Sequence, residues 1–137
     1  MRVLAGMQGH RRRVLVMGDM LELGELSAEL HHDVGRAAAR AGIERLILIG
    51  TYAKAAASGA LEGGLATDAL THFATTAEAA AEVSALVRDG DVVLVKGSRG
   101  MALERVVGAL KEHFAAPVAV HPAARGLLRE PESLTTA

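Results

Sequence analysis

The chain has 137 residues, half of them hydrophobic but only 2% aromatic, with a formal net charge of −1 and no cysteine. That length allows one domain with a real core, built here from Ala, Val and Leu. The composition excludes disulfides, thiolate metal sites and a Cys nucleophile, and a near-neutral chain has no global field to recruit nucleic acid or an anionic membrane.

In residues 1–13, Val3, Leu4 and Met7 share a helical face, Gly9 stops it, and His10-Arg11-Arg12-Arg13 is a polar link. This reads as the end of a preceding helix and a linker. Its cations follow the apolar stretch, the reverse of a signal peptide's order. No apolar run approaches the ~20 residues of a membrane span. A cytoplasmic protein with no membrane partner is expected.

Val14–Met17 is a short apolar run that predicts a strand, ended by Gly18-Asp19. Met20–Glu25 is a loop that carries Met20, Leu21 and Leu23 beside Asp19, Glu22 and Glu25. Ser27 is placed to N-cap the next helix, whose stripe is Leu26, Leu30, Val34, Ala37, Ala38 and Ala41, with Gly42 as its stop. Leu46–Ile49 predicts a second strand, closed by Gly50. A short Ala-rich helix over Thr51–Ala60 follows, and Gly59, Gly63 and Gly64 predict a loop of low order. Thr71–Ala74 is a third, weaker strand. Thr75-Thr76-Ala77-Glu78 is a capping-box pattern that opens a helix to about Val87. Asp89-Gly90-Asp91 turns the chain into a fourth strand, Val92–Val95. The last helix runs from about Met101 to His113, with Leu103, Val106, Val107, Leu110 and Phe114 on one face. The domain therefore spans 14–114. Residues 115–137, punctuated by Pro117, Pro122 and Pro131, predict a mostly unstructured tail.

Strand and helix thus alternate four times. Continuous apolar strands between amphipathic helices predict an α/β, Rossmann-like, mainly parallel sheet with helices on both faces. Ligands of such folds bind at the carboxyl ends of the strands. Here those ends carry Gly18-Asp19-Met20, Gly50-Thr51-Tyr52, Ala74-Thr75-Thr76 and Lys96-Gly97-Ser98-Arg99.

The fourth end has the most chemistry. Lys96 and Arg99 are cations, and Arg can hold a carboxylate or phosphate through two parallel bonds. Ser98 adds a hydroxyl, while Gly97 and Gly100 let backbone approach a ligand. An anion cradle fits this stretch. A solvated turn, with Lys96 and Arg99 pairing Asp19 or Glu22, fits the same spacing. The G-x-x-x-x-G-K-[ST] pattern of an ATP-cleaving loop occurs nowhere, and neither does G-x-G-x-x-G. Asp19, Glu22 and Glu25 suit a substrate ammonium, a metal or a proton, or simply a solvated acidic turn. His31-His32-Asp33 does not build a metal site, because adjacent helical positions point about 100° apart. His31 can instead pack over the first loop. Tyr52 suits a wall of the site or plain packing.

Two stretches carry a resemblance. VLVMGDMLELGELSAELHHDVGRAAARAGIERLILIG (14–50) and GDVVLVKGSRGMALERVVGAL (90–110) resemble the C-terminal domain of the Mur ligases, and within them the members that add D-alanyl-D-alanine. The specific elements are G-D-M-x-E-L-G, H-D-V-G over His32 to Gly35 after Ser27, and K-G-S-R-G-M, within a similarity from Val3 to Phe114. The resemblance implies a Rossmann-like third domain of a three-domain enzyme. The first domain of that enzyme binds a UDP-sugar peptide, and the middle one binds ATP and Mg²⁺. The implied reaction joins D-alanyl-D-alanine to a UDP-N-acetylmuramoyl-tripeptide in peptidoglycan precursor synthesis. Carried over by residue, Lys96, Ser98 and Arg99 match a loop near the incoming dipeptide. Arg99 and Ser98 are implied to bind its carboxylate, and Lys96 to add positive potential. Asp19, Met20 and Glu22 match a loop facing the cleft between domains, implied to orient the amine.

These 137 residues lack the middle domain's phosphate-binding loop and Mg²⁺ ligands. The chain is therefore expected to hold no catalytic residue, cofactor or metal by itself. It is expected to work only with the other ligase domains, in cis or in trans. An excised domain, an internal-start product and a gene remnant all fit. So does a free-standing module that holds a small anion or dipeptide, or docks on a partner.

Overall fold

The computed structural model describes residues 11–21, 24–114 and 119–120. The apolar runs form strands β1 (Arg13–Met17), β2 (Arg45–Ile49), β3 (Leu70–Phe73) and β4 (Val92–Lys96), and Ala119–Val120 adds a short β5. Between them lie helices α1 (Ser27–Arg40), α2 (Ala53–Glu62), α3 (Thr76–Leu86) and α4 (Glu104–His113). The strand order is β3-β2-β1-β4-β5, and every neighbouring pair is parallel. The predicted α/β sheet is therefore present. Its fifth strand falls in the stretch read as unstructured tail, whose remaining residues, like the helix end predicted over Met1–Met7, lie outside the described ones.

Alternation along each strand divides two cores. Val14, Val16, Ile47, Ile49, Val93 and Val95 face one side, where Ala79, Val83, Val106, Val107 and Leu110 of α3 and α4 pack. Leu15, Met17, Leu46, Leu48 and Leu94 face the other, against Ala38 of α1 and Ala53, Ala56 and Ala60 of α2. Helices on both faces follow directly from strands that are apolar on both faces. The chain winds outward from β1 to β2 to β3, then crosses back to place β4 on the far side of β1. The order of strands thus reverses between β1 and β4, and in such sheets ligands bind beyond the carboxyl ends at that point.

Four local readings need correction. Ser27 is not an N-cap: it is the first residue of α1, and its hydroxyl donates to the Gly24 carbonyl at 2.6 Å, closing the short 3-10 turn Gly24–Leu26. The buried line of α1 is Ser27, His31, Gly35 and Ala38, whereas Leu26 and Ala37 are exposed. The cause is the neighbour: at Gly35 α1 meets α2 at backbone range, where a side chain does not fit, and His31 lies under the first loop. For the same reason Gly59 is no loop residue but a buried member of α2, which continues to Glu62. Finally, the last helix does not start at Met101. A 3-10 turn, Arg99–Met101, ends at Ala102, whose left-handed backbone (φ 54°, ψ 42°) separates it from α4.

The capping box holds. The Glu78 amide donates to Thr75 Oγ1 at 3.1 Å, and Glu78 Oε1 accepts from the Ala74 amide at 3.0 Å. At the rim where strands begin, cations have protein partners. Arg12 grips the buried Asp91 (Nη2 to Oδ2 2.8 Å) and the Leu86 carbonyl. Arg45 donates to the Asp68 carbonyl and Thr71 Oγ1.

Candidate functional site

The opposite rim is built by the turns after β1 and β4. Met17 and Lys96 pair across the two strands, and the ladder continues past them. The Gly18 amide donates to the Lys96 carbonyl at 2.8 Å, and the Ser98 amide donates to the Asp19 carbonyl at 3.0 Å. Two glycines permit this approach. A Cβ on Gly97 would lie 2.6 Å from Leu103 Cδ1 and 3.3 Å from Gly18 Cα. The acidic and cationic stretches therefore share one rim, as the parallel reading requires.

Asp19 is 5% exposed and turned inward. Its Oδ2 accepts from the Thr51 amide and its Oδ1 from the Tyr52 amide, both at 2.9 Å. One carboxylate thus joins the turn after β1 to the start of α2. Gly50 makes room: it has φ +112°, and a Cβ there would sit 2.5 Å from Asp19 Oδ2. A solvated turn in which Asp19 pairs with Lys96 or Arg99 is not what forms: Asp19 is buried on the two amides and makes no ion pair among the described residues. Glu22, the other acid read into this site, lies outside the described residues.

Arg99 is exposed, whereas Lys96, Ser98 and Met20 are half-buried. Among the described residues neither Lys96 nor Arg99 makes an ion pair. Burial lowers the Lys96 pKa below the usual 10.5, because desolvation penalises the ammonium. This penalty weighs on the folded state below the folded pKa and relaxes as pH rises toward 10.5. The Lys96 Cε resonance is accordingly expected to titrate with a midpoint below 10.5. Urea unfolding should show a stability increment across that interval in wild type that Lys96→Met lacks; identical pH profiles would contradict a desolvated ammonium.

His31, 1% exposed, lies beneath the first turn. Its Nε2 accepts from the Met20 amide at 3.0 Å, its Nδ1 donates to the Ser27 carbonyl, and its ring stacks on Tyr52 at 4.7 Å between centroids. Packing over the loop is therefore its role, and Tyr52 is its packing partner. His32 turns away to Glu62 (2.7 Å), whose pKa this hydrogen bond lowers below 4.5. The two histidines serve different elements. Two contacts had no sequence signal: the amides that receive Asp19, and Thr76, whose hydroxyl donates to the Met101 carbonyl at 2.6 Å and pins the end of the cationic turn.

The family model for the C-terminal region of the Mur ligases, described as their glutamate ligase domain, matches residues 1–99. The chain belongs to the Mur ligase family. It is 43% identical over 115 residues to the UDP-N-acetylmuramoyl-tripeptide–D-alanyl-D-alanine ligase of Escherichia coli K12, covering 81% of this chain and 23% of that protein. It is 34% identical over 106 residues to the ligase of the same name from Bacillus subtilis, covering 77% of this chain and 23% of the relative. A crystal structure of MurF from Acinetobacter baumannii superposes with a TM-score of 0.62 at 32% identity, over 76% of this chain and 23% of that one. The MurF ligase of Thermotoga maritima, solved in complex with ADP, shares the fold at a TM-score of 0.56 and 23% identity. The Mur ligase domain described here thus spans less than a quarter of the length of these relatives.

Proposed function

We propose that this chain is the incoming-substrate domain of an ATP-dependent amide ligase, which joins D-alanyl-D-alanine to UDP-N-acetylmuramoyl-tripeptide in cytoplasmic peptidoglycan precursor synthesis, and that it does not ligate alone. One observation carries the reading. In a chain 43% identical to such a ligase, two cations and a hydroxyl stand at the rim where strand order reverses, while Asp19 on the same rim faces inward.

Arg99 and Ser98 hold the dipeptide carboxylate, and Lys96 adds positive potential from beneath. Met20 lines the crevice, and Glu22 orients the amine. Asp19 acts on the protein, by fixing the turn that carries Met20. Gripping the carboxylate end leaves the dipeptide amine free to meet an activated carbonyl, a gain of orientation more than of new chemistry. ATP and Mg²⁺ do not fit the residues present. The chain has no phosphate-binding loop, and the described residues hold no cluster of three His, Asp or Glu side chains. Those groups, and the water exclusion a closed site needs, belong to the other domains.

The test replaces the C-terminal domain of the Escherichia coli relative with this chain and follows ADP release dependent on D-alanyl-D-alanine. Arg99→Ala is expected to raise the KM for the dipeptide about tenfold, in keeping with loss of one charge-assisted contact at an open rim. The KM for ATP should stay unchanged. A dipeptide KM unaffected by Arg99→Ala would remove the carboxylate role. Micromolar binding of the dipeptide by the chain alone, with no ligation in the fusion, would favour the free-standing module.

A further inference from the structure

The buried His31 has no hydrogen bond to the cationic turn, yet it holds the amide one residue before the one that reaches that turn. Its Nε2 takes the Met20 amide proton, so its own proton resides on Nδ1 and goes to the Ser27 carbonyl. Held at Met20, the chain presents the next amide, that of Leu21, to Ser98 Oγ at 2.7 Å. A hydroxyl has one proton and two lone pairs. With a lone pair occupied by the Leu21 N–H, the Ser98 proton is turned elsewhere, and among the described residues no acceptor receives it. The Ser98 amide is itself fixed on the Asp19 carbonyl, so the hydroxyl cannot simply swing away with its backbone.

We propose that His31 is a positioning residue: through Met20 and Leu21 it sets the Ser98 hydroxyl as an outward donor for an anionic oxygen of the ligand. This rests on the dipeptide-carboxylate reading above and assigns the polarity of one of its contacts. It also explains why a polar, aromatic side chain occupies the apolar side of α1. An aliphatic residue there would fill space but could not accept from Met20. The imidazole also stacks on Tyr52, with 25° between the planes.

The experiment has two arms. On the 137-residue chain, nitrogen-detected NMR should find neutral His31 protonated at Nδ1, and His31→Leu should exchange the Leu21 amide at least tenfold faster than wild type. His31→Gln, which keeps an acceptor near the Nε2 position, should restore most of the protection, and it covers the case in which the leucine variant fails to fold. In the ligase fusion, His31→Leu should raise the dipeptide KM about as much as Ser98→Ala, and the double variant should be no worse than Ser98→Ala alone. A proton on Nε2, or unchanged Leu21 exchange in both His31 variants, would overturn the proposal. So would KM penalties of His31→Leu and Ser98→Ala that multiply. Fast Leu21 exchange in His31→Leu, with a fusion indifferent to both Ser98→Ala and Arg99→Ala, would sustain the tie and defeat the carboxylate reading instead.

Discussion

Gly59→Ala is expected to lower the melting temperature by about 10 °C. A Cβ at Gly59 would overlap the His32 carbonyl oxygen and press on the Arg36 amide. The obstacle is helix backbone, which cannot rotate aside as a side chain can. The same contact is reciprocated from α1, where a Cβ on Gly35 would overlap the Ala56 carbonyl. Relief requires α1 and α2 to separate, and both cover one face of the sheet through Ala38, Ala53, Ala56 and Ala60. Overpacking a tight core costs about 1–3 kcal/mol and occasionally more, and the upper end suits a backbone clash. At roughly 4 °C per kcal/mol, the low end for a domain of about 100 residues, about 3 kcal/mol gives a shift of that order. Thermal unfolding followed by circular dichroism checks it. Gly108→Ala, where nothing lies within 4 Å, is the control and should melt no lower than wild type. Equal melting of Gly59→Ala and wild type would mean the helices do not meet at that range.

Asp19→Ala is expected to cost about 2–3 kcal/mol in stability, because the part-buried amides of Thr51 and Tyr52 lose a charged acceptor together, and a hydrogen bond to a charged group contributes about 1.5–3 kcal/mol. Asp19→Asn should cost roughly half as much, since the amide keeps one acceptor but sets an NH₂ against the other N–H. Urea titration gives both values, and amide exchange should quicken at Thr51 and Tyr52. This ordering separates two roles. A residue that only touched the substrate ammonium would raise the dipeptide KM and leave stability within about 0.5 kcal/mol of wild type, as surface substitutions usually do. A stable Asp19→Asn with a raised KM would therefore return Asp19 to direct contact.

The sheet was legible because its strands are apolar on both faces and bounded by Gly or Asp. Val14–Met17, Leu46–Ile49 and Val92–Val95 admit little else, and their observed limits move by a single residue. The topology then brings Asp19 and Ser98 together, though nothing in either stretch names the other. Helix faces were less legible. Periodicity weighs residues by hydrophobicity, so it chose Leu26 and Ala37 for the buried stripe of α1 and passed over His31 and Gly35. What decides that face is distance: two helices at backbone range need absent side chains, and a loop above needs an acceptor. Gly59 misled for the same reason, since the residue that breaks isolated helices is here the one that lets two of them meet. At the site, residue types were visible but directions were not. Whether Asp19 faces the cations or the protein depends on two backbone amides thirty-odd positions away, and no spacing rule reports that.

The turns after β1 and β4 are joined by two main-chain bonds, Gly18 to Lys96 and Ser98 to Asp19, and by one side chain, Ser98 Oγ, which accepts from Leu21. The main-chain part of this joint is indifferent to the side chains at 96 and 99. Exchanging those two would change what the rim displays without altering where it stands. The rim is thus a fixed frame with two replaceable teeth and one, Ser98, that belongs to the frame itself.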